Sequence, residues 1–289
     1  MHTIENEFLK VTARNFGAEL TSVYYKPTHT EHLWQADKNF WGWHAPVLFP
    51  VVGRCMNDEI LIDGNRYAME KHGFARKSEF TLLELNENKM VFMMQSSEST
   101  LRIYPYQFEF LIAYTLDGNK LLVSYEVINR DTKTIYFQLG GHPAFAAPFS
   151  ATEKYDDYYL EFENTENAPR HYIDANGFFD GRTETALTNG MRVNLRPDLF
   201  KDDALIFKDL QSRQVFLKSR NHERYVEVDF NGFNYLGLWA KENAPYVCIE
   251  PWLGCAATAG VQTEFSEKEG IISLVKAGKH NTQFTVSVH

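Results

Sequence analysis

Cysteine is scarce in this 289-residue chain: Cys55, Cys248 and Cys255 are the only three, with no CxxC spacing. An odd, scattered set cannot build a disulfide framework. The opening residues MHTIENEF have neither a basic n-region nor an apolar h-region, so a reduced, cytoplasmic setting is expected rather than secretion. Positive charge is also in short supply, with 29 Lys+Arg against 38 Asp+Glu and a net charge of −9. That balance argues against nucleic acid or an anionic lipid surface as partner. Long apolar runs are missing too. The longest, Pro46 to Val52, falls far short of the roughly 18 residues that cross a bilayer.

Several signatures are absent as well. There is no GxGxxG, GxxxxGK[ST] or GxSxG, which removes the common dinucleotide, nucleotide and hydrolase fingerprints. The ten histidines contain no HExxH and no HxH. A metal site would need ligands gathered from distant strands, and none is expected. Helical periodicity is rare, and no Pro/Ser/Gly-rich linker divides the chain.

What is plentiful is aromatic residues, 15% of the chain with 22 Phe, 15 Tyr and 5 Trp, among 44% hydrophobic residues. This is the make-up of a folded domain with a large core, not of a disordered chain. Alternation of apolar and polar residues dominates the pattern, as antiparallel strands require. Phe108, Phe110, Ile112, Tyr114 and Leu116 alternate with their neighbours. Asp117-Gly118-Asn119 then turns the chain back into Leu121 to Val127, which reads as a hairpin. Asp63-Gly64-Asn65 and Asn86-Glu87-Asn88 mark two more. After residue 150 come polar stretches that read as loops, Asn164 to Arg170 and Asp174 to Thr185. Strand patterns resume at Asp203–Phe207, Gln214–Lys218, Tyr225–Phe230, Leu236–Trp239 and Tyr246–Ile249. The expectation is one all-β domain over residues 1–289, a large sandwich of antiparallel sheets with few short helices.

Polar groups that interrupt apolar runs carry the chemical information, because burying an ionisable side chain costs several kcal/mol without compensation. In Gly140-Gly141-His142-Pro143-Ala144-Phe145, Pro143 stops the strand and sets an imidazole at its end, where it can trade a proton near neutral pH. The bland alternative is a histidine hydrogen-bonded in a turn. In Tyr246-Val247-Cys248-Ile249-Glu250-Pro251-Trp252 a carboxylate closes an apolar run and shares a face with Tyr246 and Cys248. Such a setting raises a carboxyl pKa toward that of a useful base, and Trp252 offers a flat surface for a sugar; equally, Glu250 could pair with an arginine and only tie loops together. Two further segments, Phe49-Pro50-Val51-Val52-Gly53-Arg54 and Lys71-His72-Gly73-Phe74-Ala75-Arg76, set cations beside glycine and aromatics. They could hold hydroxyls or phosphate, or be exposed loop residues. Cys55 beside Arg54 reads as an inert buried thiol.

In order, FPVVGR, KHGFAR, GGHPAF and VCIEPWLG resemble the signature series of the galactose mutarotase (aldose 1-epimerase) superfamily, in wording nearest its LacX-like branch. Leu199-Phe200 with Asp202 to Ile206, and Gly237-Leu238-Trp239, extend the resemblance over nearly the whole chain. It implies an antiparallel β-supersandwich and interconversion of the α and β anomers of a hexose, with no metal or organic cofactor. By the same resemblance His142 would be the general acid and Glu250 the general base. His72 would bond the substrate near its ring oxygen and Asp203 would orient hydroxyls. Arg54 would bind hydroxyls or anchor Glu250, and Arg76 matches a phosphate-binding arginine of the hexose-6-phosphate mutarotases. The expected partner is a hexose or hexose phosphate, and the expected state a monomer or homodimer. A glycoside-cleaving enzyme built on Glu250 and Asp203 and a noncatalytic sugar-binding protein are the competing readings. Trp252, Phe74 and Phe145 are the aromatics expected beside the site.

Overall fold

The computed structural model describes every residue from Met1 to His289. Antiparallel pairing organises it, and the only α-helix is the single turn Glu98–Leu101. A nine-stranded sheet runs in the order Arg192–Asn194, Tyr158–Phe162, Gln214–Ser219, Tyr225–Asp229, Lys279–Val288, Lys120–Asn129, Phe108–Asp117, Lys89–Gln95, Thr81–Leu85. Its central hairpin keeps the alternation of the sequence. Phe108, Phe110, Ile112, Tyr114 and Leu116 are buried while the residues between them are half exposed. Asp117 opposes Lys120 across a two-residue turn. The tight turn after Ile62 places Asp63 and Gly64 at φ 51° and 75°, the left-handed pair that a primed hairpin turn demands. The hairpin of Thr81–Leu85 with Lys89–Gln95 also forms.

A second sheet holds Phe179–Glu184, Arg170–Ile173, Leu205–Lys208, Tyr235–Trp239, Tyr246–Leu253, Leu139–Gly141 and Val47–Leu48 in that order, and Ala144–Ala146 also pairs with Tyr246–Leu253. Four N-terminal strands from His2 to Glu31 form a smaller sheet. One apolar cluster of 71 residues runs from Ile4 to Val288 through all three sheets. A second, of nine residues including Ile173, Ile206 and Trp252, covers the opposite face of the second sheet. Strand Tyr246–Leu253 therefore has protein on both sides and is buried at every position. That is why Tyr246 to Ile249 reads as an unbroken apolar run and not as an alternation.

Two expectations are corrected. The stretch Asp174 to Thr185, read as loop, contains the strand Phe179–Glu184; its residues Asp180, Gly181, Arg182 and Thr183 are too polar to signal a strand, and register with Arg170–Ile173 makes it one. Pro143 does not end its strand. The chain pauses at His142-Pro143 and resumes pairing with the same neighbour, since Gly140 opposes Trp252 and Ala144 opposes Cys248.

Candidate active site

That pause builds the site. Opposite it lie Ile249 to Pro251, and Pro251 has no N–H to offer a ladder, so the irregular stretch strands no donor there. The Ile249 N–H still reaches the Pro143 carbonyl at 3.1 Å. The bulge turns His142 toward the face that carries Tyr246, Cys248, Glu250 and Trp252. A cleft of about 240 Å³ opens on this face, near the small end of ligand pockets, which run ~300–1,000 Å³. His142 and Glu250 lie in it with Nε2 and Oε2 3.2 Å apart and side chains 10% and 2% exposed. The alignment is not that of a hydrogen bond, so Glu250 Oε2 remains buried without a protein partner; His142 Nδ1, on the other side of the ring, has none either. No arginine is bonded to Glu250, which answers the loop-tying alternative.

Burial pushes both groups toward their neutral forms. Glu250 is held well above the usual carboxyl range by desolvation, with Lys71 opposing and Asp203 reinforcing the shift. His142 is pushed down to about 3 by desolvation, with Lys71 and Arg76 adding to it. Burial thus favours a carboxylic acid beside a neutral imidazole in the resting pair.

The surroundings bring other expected residues to the same cleft. His72 adopts φ 68° and is followed by Gly73 at φ 69°, where a Cβ would meet the Phe49 carbonyl oxygen at 2.2 Å, so only glycine fits. The His72 Nδ1 accepts from the Gly53 N–H at 3.1 Å. This leaves its proton on Nε2 as a donor. Burial keeps this imidazole neutral, far below its ordinary range. Asp203, also left-handed at φ 67°, accepts from the Ala204 N–H with Oδ1. It lines the cleft and the two grooves that flank it. Arg76 donates to the Lys71 carbonyl at 2.7 Å and lines the cleft with its Nε unpartnered. Trp252 lies against two glycines: a Cβ on Gly140 would come within 2.7 Å of its ring and one on Gly237 within 2.5 Å. Its Nε1 makes no hydrogen bond of ordinary geometry, yet it is near enough to favour the ionised form of Glu250.

Arg54 is the exception. Its Nε and Nη2 both donate to Asp58 at 2.6 Å and its Nη1 to the Asn176 carbonyl. It faces the groove beside the cleft, so it neither anchors Glu250 nor converges with Arg76. Phe74 and Phe145 belong to the main core. The aromatics of the cleft besides Trp252 are Trp41, which the sequence reading did not single out, and Trp239, which it placed in a family segment without a role at the site. Trp41 stacks on the His142 ring at 4.9 Å and 28°, and Trp239 meets it edge-on at 5.9 Å. The available signal was Trp41-Gly42-Trp43 within a polar stretch, where large rings need something to cover.

An all-β scaffold thus sets a buried carboxyl group and a buried imidazole on one small cleft. The aldose 1-epimerase family model matches residues 1–259, and the chain belongs to that family. Among its relatives is Protein LacX of Lactococcus lactis subsp. lactis, 34% identical over 99% of this chain and 98% of that protein. The crystal structure of a galactose mutarotase related enzyme from Lactobacillus acidophilus superposes with a TM-score of 0.95 at 33% identity, over 100% of this chain and 97% of the other. A galactose mutarotase-like protein from Lactobacillus casei gives 0.93 at 31%, over 100% of both. No helix is long and apolar enough to cross a membrane.

Proposed function

We propose that the protein catalyses anomerisation of a free hexose or hexose derivative, with Glu250 as base and His142 as acid. The observation that carries this reading is the isolated His142–Glu250 pair, 3.2 Å apart at the cleft with open polar atoms on both side chains. Moving the carboxyl proton of Glu250 to the imidazole of His142 produces the reactive form. Glu250 then takes the proton of the anomeric hydroxyl, the C1–O1 bond becomes a carbonyl, the C1–O5 bond breaks, and O5 takes a proton from His142. After rotation about C1–C2, O5 attacks the other face. His142 recovers its proton and Glu250 returns one to O1. Protons and electrons balance within the pair.

His72, donating from Nε2, is suited to the ring oxygen. Asp203 and the Trp252 N–H are suited to hydroxyls, and the Trp41 and Trp239 rings to the C–H faces of a pyranose. A phosphorylated hexose is the second reading, favoured by the two cations Lys71 and Arg76 on the same cleft.

The test adds the protein to freshly dissolved α-glucose, α-galactose and their 6-phosphates and follows optical rotation or anomer exchange by NMR. Acceleration is expected for at least one, with loss of about 10²–10⁴-fold in Glu250→Gln. Calorimetric binding without acceleration would leave a noncatalytic sugar-binding protein. Reducing sugar released from a disaccharide would instead favour glycoside cleavage.

A further inference from the structure

We propose that His142, Cys248 and Glu250 form a binding site for a thiophilic divalent cation such as Zn²⁺, and that its occupation switches off the acid/base pair. One imidazole nitrogen, the Cys248 Sγ and one Glu250 oxygen lie within 4.8 Å of one another, and all three residues are buried. The strand geometry explains the grouping. Cys248 and Glu250 alternate on one face of Tyr246–Leu253, and the bulge between Gly140 and Ala144 carries His142 over them. Sequence spacing hid the cluster because His142 lies about a hundred positions from Cys248 and Glu250.

Three features favour a metal over an accidental cluster. The donor set matches zinc: thiolate, imidazole and carboxylate bind it at ~2.0–2.3 Å, which puts tetrahedral ligands roughly 3.3–3.8 Å apart. Closing the site requires movement of roughly 1 Å, within the reach of side-chain adjustment. The charges also match. One thiolate and one carboxylate neutralise a divalent ion, so the buried assembly carries no net charge, the condition under which burial is tolerated. Finally, Glu250 Oε2, which faces His142 Nε2 at 3.2 Å, is already buried without a partner, and Cys248 is a free thiol. The cleft supplies the route in and the fourth position, for a water or a sugar hydroxyl.

Binding exchanges protons for the ion. The ion takes Cys248 as thiolate and Glu250 as carboxylate, so any proton that either group carries leaves to solvent as the ion enters. The ion then occupies the lone pairs that proton transfer needs. The inhibitory consequence rests on the proposed anomerisation, but the binding site does not.

The experiment therefore has two independent readouts on the full chain. Titration with Co²⁺ should give a near-ultraviolet thiolate-to-cobalt charge-transfer band saturating at one ion per chain, bleached by an equivalent of Zn²⁺. The band should vanish in Cys248→Ala, weaken in Glu250→Gln, and persist in Cys55→Ala and Cys255→Ala, with circular dichroism checking each fold. Calorimetry of Zn²⁺ binding in buffers of different ionisation enthalpy should report net release of protons. Where anomer exchange is measurable, Zn²⁺ should inhibit it at least tenfold more weakly in Cys248→Ala than in the parent. Absence of the band, or its survival in Cys248→Ala, overturns the site. A Cys248-dependent band in a protein with no exchange activity overturns only the anomerase reading.

Discussion

His142 lacks the device that usually fixes a catalytic imidazole, a hydrogen bond at the ring nitrogen away from the chemistry. Its Nδ1 has no partner. Aromatic rings hold it instead, with Trp41 stacked on it, Trp239 edge-on, and His72 perpendicular at 5.8 Å. An indole face also stabilises an imidazolium, by about 0.5–2 kcal/mol as the site dries. Trp41 is thus a positioning residue for the acid. Trp41→Leu should lower kcat by roughly tenfold and move the limb of the pH–rate profile governed by His142 to more acid pH by up to ~1 unit. Trp41→Phe should keep most of both. A Leu variant with an unshifted profile would leave the ring as filler. Little of this was legible in the sequence: His142 and Glu250 announced themselves as polar breaks in apolar runs, whereas Trp41 sits about 100 positions away in a segment with no strand pattern.

Strand Tyr246–Leu253 is the element on which the site depends, and its neighbours have been thinned to fit it. Gly140 and Gly237, on the strands either side, leave room for the Trp252 indole. Neither glycine is needed for a turn, so packing alone explains them. In Gly237→Ala the new methyl would stand 2.5 Å from two ring carbons of Trp252. The ring must tilt into the cleft or the strands must part, and overpacking of this kind costs about 1–3 kcal/mol. The expected outcome is a lower urea midpoint together with impaired anomer exchange. A variant as stable and active as the parent would show that the indole has slack. The first half of the strand was plain in the sequence, but its continuation from Glu250 to Leu253 was not, because a carboxylate and a proline break the apolar run there. That Pro143 interrupts its partner without ending it was not plain either, because a proline halts a ladder locally whatever the chain does next.

Over the whole molecule the hairpins were readable, since turn residues and alternation are local signals. The polar strand Phe179–Glu184 and the small N-terminal sheet were not, because they are strands by virtue of their partners. One apolar cluster spanning Ile4 to Val288 supports the reading of residues 1–289 as one folding unit, and a single cooperative melting transition would test it. The same compactness buries histidines that must stay neutral. His32 is 1% exposed with neither ring nitrogen partnered, and burial, with Arg224 and His222 nearby, pushes it down to about 3. His72 and His142 are lowered as well. For each, the unfolded chain binds its proton near pH 6.5 while the folded one refuses it. Stability therefore falls as pH drops from 6.5 toward 3, by about 1.4 kcal/mol per pH unit per group. Glu250 runs the other way: its raised pKa makes the folded state lose stability as pH climbs above 4.5, so one group opposes three. His32→Phe removes one of the three. A phenyl ring suits the T-shaped contact with Phe149 at 4.8 Å and strands no polar atom. Its stability advantage over the parent should be about 2 kcal/mol larger at pH 5 than at pH 7, the consequence of 1.5 units below the unfolded value. Urea unfolding at the two pH values measures it, and an equal advantage at both would mean that His32 finds a way to carry its proton inside the fold.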